Sequence, residues 1–365
     1  MATTSRGLGP RTIRTIPRKM AGITGALVAL AGTASAARAQ WNDADTHSHA
    51  SFRGLSVAPD GTVWAGGTEG TVMRSTDAGE TWQTDTVPGA SSFDFRGVAA
   101  IDARTAFVVV SAADTARIYH TTDAGASWTL QFNLLQPGVF LDGIGCWSRL
   151  RCLAAGDPID GHFFTATTTD GGAHWRRRPP AGRPTALAGE AAFAASNTSV
   201  VTGPHGHAWI ATGGGPVARV WRTADYGASW KVATTPIAAG LASAGAFSVA
   251  FCDARHGVAV GGDYAKPMGH GAHVAVTADG GASWSAADTS QETPFLSAAT
   301  CVSSSGARIV SVGPAGTFTS GDGGLTWTSL GDTGYNSVVA DRDVLVAVGP
   351  HGTAGTAPAA AFASP

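Results

Sequence analysis

Four ionisable side chains stand at matching points of a sequence that repeats itself. Arg53 and Arg96 sit in Phe52-Arg53-Gly54 and Phe95-Arg96-Gly97. Asp142 and Glu190 sit in Leu141-Asp142-Gly143 and Gly189-Glu190-Ala191, which align with them. Gathered at one concave opening, opposed charges of this kind make the default binding site. The two acids would also suit glycoside hydrolysis, which needs an acid and a nucleophile or base. Two glycine-flanked turns add further groups: Asp157 and Asp160 in residues 156–162, and Asp263, Tyr264 and Lys266 in residues 262–267. The plainer alternative is that all of these are ion pairs and caps that stabilise the starts of strands. Whether they meet depends on the frame that carries them.

That frame is an eight-residue pattern, Ser/Thr-x-Asp-x-Gly-x-x-Trp. It first occurs as Ser75-Thr76-Asp77-Ala78-Gly79-Glu80-Thr81-Trp82 and returns at Thr121, Thr168, Thr223, Thr277 and Ser320. Its aspartates are Asp77, Asp123, Asp170, Asp225, Asp279 and Asp322, spaced by 46, 47, 55, 54 and 43 residues. Recurrence at such a period signals a repeat architecture. An Asp side chain can bond the backbone two residues on, and Gly takes a positive φ freely, so the pair predicts a tight turn. The hydroxyl can add a second local bond. The Trp opens the next strand and supplies an apolar body to pack beneath the turn. The pattern resembles the Asp box, or bacterial neuraminidase repeat. That resemblance implies a rim turn between the third and fourth strands of a propeller blade, with a structural and not a catalytic role for the six aspartates.

Between the turns, β-branched and alternating residues bounded by Gly, Asp and Pro predict strands throughout, and nothing reads as a long amphipathic helix. In the first repeat the strands are expected at 52–58, 62–67, 71–76 and 81–86. After the sixth motif, residues 335–340, 344–349 and 352–356 look like three strands of a seventh repeat without one. Trp41 precedes Phe52 by 11 residues much as Trp82 precedes Phe95 by 13. The expectation is therefore an all-β, seven-bladed propeller of four-stranded antiparallel blades, closed by the N-terminal strand, with six or eight blades as alternatives. One domain would cover residues 40–356, with an Ala-rich tail at 357–365. In such a ring the first strands line a central channel. Their starts, and the turns between second and third strands, lie opposite the Asp motifs. This gathers Arg53, Arg96, Asp142, Asp157, Asp160, Glu190, Asp263, Tyr264 and Lys266 as the candidate binding residues. No residue is assigned a catalytic role.

Residues 1–39 read as a secretory signal. Arg6, Arg11, Arg14, Arg18 and Lys19 precede an apolar stretch at 21–32, and Ala37-Arg38-Ala39 is a cleavage site before Gln40. The expected location is periplasmic or secreted, where disulfides persist. Cys146 and Cys152 face each other across a predicted hairpin, so they either pair or remain core thiols. For Cys252 and Cys301 the sequence leaves pairing open. No Cys-x-x-Cys spacing argues for zinc, and neither metal nor cofactor is expected. His47/His49, His205/His207 and His270/His273 lie in Gly-rich loops that produce such pairs by chance. Charged residues make up only 14% of the chain and the formal net charge is −2, which disfavours nucleic acid. Arg149, Arg151, Arg176, Arg177, Arg178 and Arg183 make one repeat basic. Alternate strand residues point oppositely, however, so only a subset shares a face.

The sequence is similar to the photosystem II stability/assembly-factor-like propellers. The similarity rests on residues 67–82 (Gly-x-x-Gly-Thr-Val-Met-Arg-Ser-Thr-Asp-Ala-Gly-Glu-Thr-Trp), the Phe-Arg-Gly starts, Gly189-Glu190-Ala191-Ala192-Phe193-Ala194-Ala195-Ser196 and Ala347-Val348-Gly349-Pro350-His351-Gly352. This resemblance implies a non-enzymatic assembly factor on the extracytoplasmic side of a membrane, where an arginine-rich patch contacts a client protein. The expected function is a monomeric protein-binding scaffold. The alternative is a glycoside hydrolase or carbohydrate-binding propeller that uses the same mouth, with Asp142 and Glu190 as its acids. A sialidase is disfavoured: no Arg-Ile-Pro follows residue 39, and Tyr119 and Tyr226 fall near or inside the Asp motifs.

Overall fold

The computed structural model describes residues 41–288, 292–302 and 307–362. The leader expected at 1–39 lies outside them. Among the described residues the chain forms seven antiparallel sheets of four strands each. Blade 1 comprises Phe52–Val57, Val63–Gly67, Thr71–Ser75 and Gln83–Thr86. The first strands of blades 2 to 7 are Phe95–Ala100, Leu141–Cys146, Val200–Thr202, Ala244–Phe251, Ala298–Cys301 and Ser337–Asp341. Each first strand packs against the next around the ring, and blade 7 packs back onto blade 1. Blade 7 takes its outer strand from the other end of the chain, where Asn42 pairs with Thr356 and Asp43 with Gly355. Among the described residues no helix is long and apolar enough to cross a membrane.

The second strands explain why the sheets stack. Val63–Gly67 and Ala106–Val110 are buried along their whole length, as expected of short continuous apolar runs covered on both faces. Outer strands such as Gln83–Thr86 are largely exposed. Each of the seven interfaces between blades holds one apolar cluster, and each cluster contains one tryptophan from the start of an outer strand: Trp82, Trp128, Trp175, Trp230, Trp284, Trp327 and Trp41. Trp41 fills this place between blades 6 and 7. Its ring lies 5.0 Å from Tyr335 and 5.3 Å from Phe362, and its indole N–H donates to Thr317 Oγ1 at 3.0 Å. Phe362 is fully buried, and the last strand runs Ala354–Pro358. Residues 357–362 thus pack into blade 7 rather than trailing from it.

The repeated turn is built differently from the two-residue Asp bond expected. Asp77 Oδ1 accepts from Thr81 N at 2.9 Å, four residues on, and Thr81 Oγ1 donates to Asp77 Oδ2 at 2.6 Å. Ser75 Oγ accepts from Gly79 N at 2.8 Å and donates to Asp77 Oδ1 at 2.7 Å. The cause is two successive left-handed residues, Ala78 at φ 57° and Gly79 at φ 89°, which carry the chain past a simple Asp turn. The same network recurs around Asp123, Asp170, Asp225, Asp279 and Asp322. These donors hold Asp123 and Asp170 at about 2. The turns around Asp123, Asp170, Asp225, Asp279 and Asp322 also bond the first hairpin of their own blade, as when Ala124 N donates to Arg104 O. Both features therefore share one face.

Two disulfides are present among the described residues. Cys146–Cys152 crosses the first hairpin of blade 3, and Cys252–Cys301 links blade 5 to blade 6.

Candidate functional site

On the opposite face the first strands do not start cleanly. Phe52 pairs with Gly67 and Gly54 with Gly66, so Arg53 is an extra residue in a bulge. Arg96 is the extra residue between Phe95 and Gly97, Asp142 between Leu141 and Gly143, and Phe247 between Ala246 and Ser248. Asp157 is likewise extra between Gly156 and Pro158. A bulge re-aims one side chain out of the alternation of its strand. Here all five bulged residues line one cavity of about 590 Å³ at the channel mouth. The glycines that follow allow close approach: a Cβ on Gly97 would sit 2.5 Å from Val109 Cγ2.

The floor comes from blade 4. Residues 195–198 cross the channel before the first strand of that blade begins. Ala195 O accepts from Arg53 at 3.5 Å (blade 1), and the Asn197 amide donates to Val98 O at 2.8 Å (blade 2). Asn197 Oδ1 accepts from Ile144 N at 3.0 Å (blade 3), and Thr198 Oγ1 donates to Ser248 Oγ at 2.7 Å (blade 5). Ser196 donates to Ser297 O at 2.8 Å (blade 6), and its own carbonyl accepts from Ser337 at 3.0 Å (blade 7). One short segment thus ties the remaining six blades together and closes the channel below the cavity.

The cavity has two unlike halves. On one side lie Arg53, Arg96, Asp142 and Asp157. Arg96 pairs with Asp94 at 3.0 Å, whereas among the described residues no carboxylate pairs with Arg53. Burial lowers the Arg53 pKa, the neighbouring Arg96 lowers it further, and Asp94 works the other way. Asp142 is 1% exposed, and its Oδ2 has no hydrogen-bond partner among the described residues. Burial holds its carboxyl well above the usual range. Asp157 adds to that shift and Arg96 opposes it. Burial also pushes Asp157 up to about 6, against a 3.1 Å bond from Ala192 N. Burial thus favours the neutral form of both acids. On the other side stands an aromatic wall. Phe193 and Phe247 stack at 3.8 Å, Phe295 meets Phe247 edge-on at 4.8 Å, and Tyr264 stands 6.0 Å from Phe247.

Of the nine candidate residues, Arg53, Arg96, Asp142, Asp157 and Tyr264 line this cavity, while Asp160, Glu190, Asp263 and Lys266 do not. Glu190 is 4% exposed and fully engaged. Arg219 grips both of its oxygens, Thr212 Oγ1 donates to Oε1 at 2.6 Å, and Leu187 N donates to Oε2 at 2.8 Å. Gly189-Glu190-Ala191 is not the start of a first strand, because an excursion separates it from Val200–Thr202. Asp160 and Lys266 are exposed, and Asp263 caps its own turn through Ala265 N at 3.0 Å. Three arginines of blade 3 are engaged within the protein. Arg177 lies over Phe164, Arg151 over Tyr226, and Arg149 pairs with Asp102 at 2.7 Å. Sequence reasoning missed Asp94, Phe140, Phe193 and Phe295. The long spacings of 55 and 54 residues were the available signal that something is inserted around blade 4.

No family model matches the chain, and the curated proteins compared with it gave no match. Solved structures do share its fold. A structure of YCF48 bound to a D1 peptide superposes with a TM-score of 0.62 at 15% identity, over 87% of this chain and 96% of that one. YCF48 from Cyanidioschyzon merolae gives 0.64 at 14% identity, over 88% and 99%. The GH74 enzyme of Niastella koreensis gives 0.50 at 12% identity, over 82% of this chain and 62% of that one. At these identities the likeness is one of fold. It agrees with the resemblance to assembly-factor-like propellers and with the seven-bladed ring.

Proposed function

We propose that this protein is a non-enzymatic scaffold that binds a segment of a client protein at the channel mouth. The observation that carries this reading is Arg53, a largely buried guanidinium in an open cavity with no ion-pair partner among the described residues. A largely buried cation without a direct ion pair is costly, and an anionic group from outside would relieve it. The YCF48 structure with a D1 peptide supports a protein client for a propeller of this shape. The test is a crosslinking pull-down from envelope extracts with wild type and with a folded Arg53→Gln/Arg96→Gln variant. Unchanged client capture by the variant would put the site elsewhere.

A hydrolase is the second reading, favoured by one observation: two carboxyl groups, Asp142 and Asp157, line the same cavity, and such a pair is what acid–base hydrolysis needs. Glu190 has no part in it, since Arg219 holds it. Turnover on a glycan panel that Asp142→Asn abolishes would replace the scaffold reading. We propose export as well. The two disulfides support an oxidising compartment, and a secreted product beginning near Gln40 by mass spectrometry is the expected result.

A further inference from the structure

Seven apolar clusters account for the seven interfaces between blades, and an eighth is left over. It comprises Ala195, Phe247 and Phe295, with Phe193 packed against it. These residues come from blades 4, 5 and 6 and face the cavity rather than a neighbouring sheet. Ring packing gives no reason for it. The cluster continues outward into apolar groups that are exposed. Tyr264 is 54% exposed beside Phe193 and Phe247, and Pro267 and Ala242 also line the cavity. The residues next in sequence to those two, Met268 and Leu241, are 62% and 53% exposed. Exposed apolar groups gathered at a cavity mouth mark an interaction surface, and Arg53, without an ion-pair partner among the described residues, lines the same cavity.

We propose that this wall selects the client: the mouth takes an extended acidic peptide that places a carboxylate on Arg53 and one bulky aromatic side chain against Phe193, Phe247 and Tyr264. The inference rests on the client-binding reading above and adds its specificity. Two features of the cavity argue for this occupant. Arg53 calls for an anion. In the same cavity, the Phe193–Phe247 stack and the edge of Tyr264 form a surface against which a further ring gains an offset or edge contact. A basic side chain is disfavoured at Arg53 itself, the guanidinium that has no ion-pair partner among the described residues, whereas Arg96 is paired with Asp94.

The test uses the full chain and fluorescein-labelled octapeptides of Gly and Ser that carry one Asp, with one Phe placed one to four residues before it. Controls replace the Phe with Ala, or the Asp with Asn or Lys. The best Phe–Asp peptide should bind about tenfold tighter than its Ala counterpart, a difference on the scale of one well-packed aromatic contact. Tyr264→Ala, a substitution at an exposed position, should cut that preference to about threefold or less. Phe193→Ala should do so more strongly, with folding checked by its thermal transition. Equal binding of the Phe and Ala peptides, or an unchanged preference in Tyr264→Ala, overturns the inference. If Asp peptides bind and Arg53→Gln abolishes this without any Phe preference, the client-site reading stands and the aromatic specificity falls. If no peptide binds at all, both fall.

Discussion

Asp157 and Glu190 are both carboxylates of the mouth region, yet their surroundings give them opposite consequences. Burial raises Asp157 to about 6 in the fold, against an ordinary value near 3.8. A raised carboxyl contributes stability that is complete below the unfolded value and is lost as pH rises through the folded one. Asp157→Asn should therefore raise stability at pH 7.5 by about 1–3 kcal/mol, since each pKa unit is worth about 1.4 kcal/mol, and change little at pH 4. Urea unfolding at the two pH values checks this. The same ionisation sets the charge near Arg53. Wild type should bind an acidic peptide more tightly as pH falls through about 6, and Asp157→Asn should flatten that profile. Glu190 is the contrary case. Its charge is matched by Arg219 in a buried pair, so Glu190→Gln strands a buried cation and should cost about 3–5 kcal/mol. Peptide affinity in the folded fraction should not change, a combination that separates a structural acid from a binding one.

The elements divide into those whose cause is local and those whose cause is the ring. The repeated turn is local. Ala124 sits at φ 68°, a left-handed conformation that L side chains adopt only at a cost. Ala124→Gly should stabilise by up to about 1 kcal/mol, the strain relieved less the entropy that Gly gains on unfolding. Gly79→Ala should do the reverse, losing about 2 kcal/mol, because φ is 89° and the new Cβ would lie 2.9 Å from Val346 Cγ1 in blade 7. Chemical denaturation of both variants tests the sign difference. This locality is why the strands, the turns and the blade count were legible in the sequence. Each is specified by residues a few positions apart, even though the hydrogen bonds inside the turn reach further than expected. The bulged Arg53, Arg96 and Asp142 were legible too, because Phe-Arg-Gly and Leu-Asp-Gly mark the same register. Glu190 was misplaced because Gly-Glu-Ala imitates that signature, while the first strand that should follow begins only at Val200. The crossing at residues 195–198 has no local signature, since its partners belong to six other blades. The aromatic wall escaped for the same reason: Phe193, Phe247 and Phe295 become neighbours only when the ring is closed.

Closure is then the property on which the mouth depends, and it is made by very little chain. Asn42 and Asp43 supply the whole outer strand of blade 7. Around them, Ala44 N donates to Ala354 O at 3.0 Å and Thr46 Oγ1 to Gly352 O at 2.8 Å. Most of the apolar contact comes from Trp41 between Tyr335, Phe362 and Thr317. A ring has no weakest edge while every interface is sealed, but removing one tryptophan gives it an end. Trp41→Ala should cost about 3 kcal/mol. The loss should appear first as faster amide exchange in blade 7, at the interface with blade 6. The 5–6 interface carries a second seal beside its apolar cluster, Cys252–Cys301, which closes a loop of sequence separation 49. Loop-closure entropy assigns such a link about 4 kcal/mol, typically realised as about 2–4. Cys252→Ser/Cys301→Ser should therefore weaken blades 5 and 6 and leave the exchange of blade 1 unaltered below global unfolding. If the two interfaces are independent seals, the losses should add to within about 0.5 kcal/mol in the combined variant. A combined loss well above the sum would mean that each seal limits how far the ring opens at the other. Peptide binding at the mouth should then fail together with stability, because Phe193, Phe247 and Phe295 hold their places only in an unbroken ring.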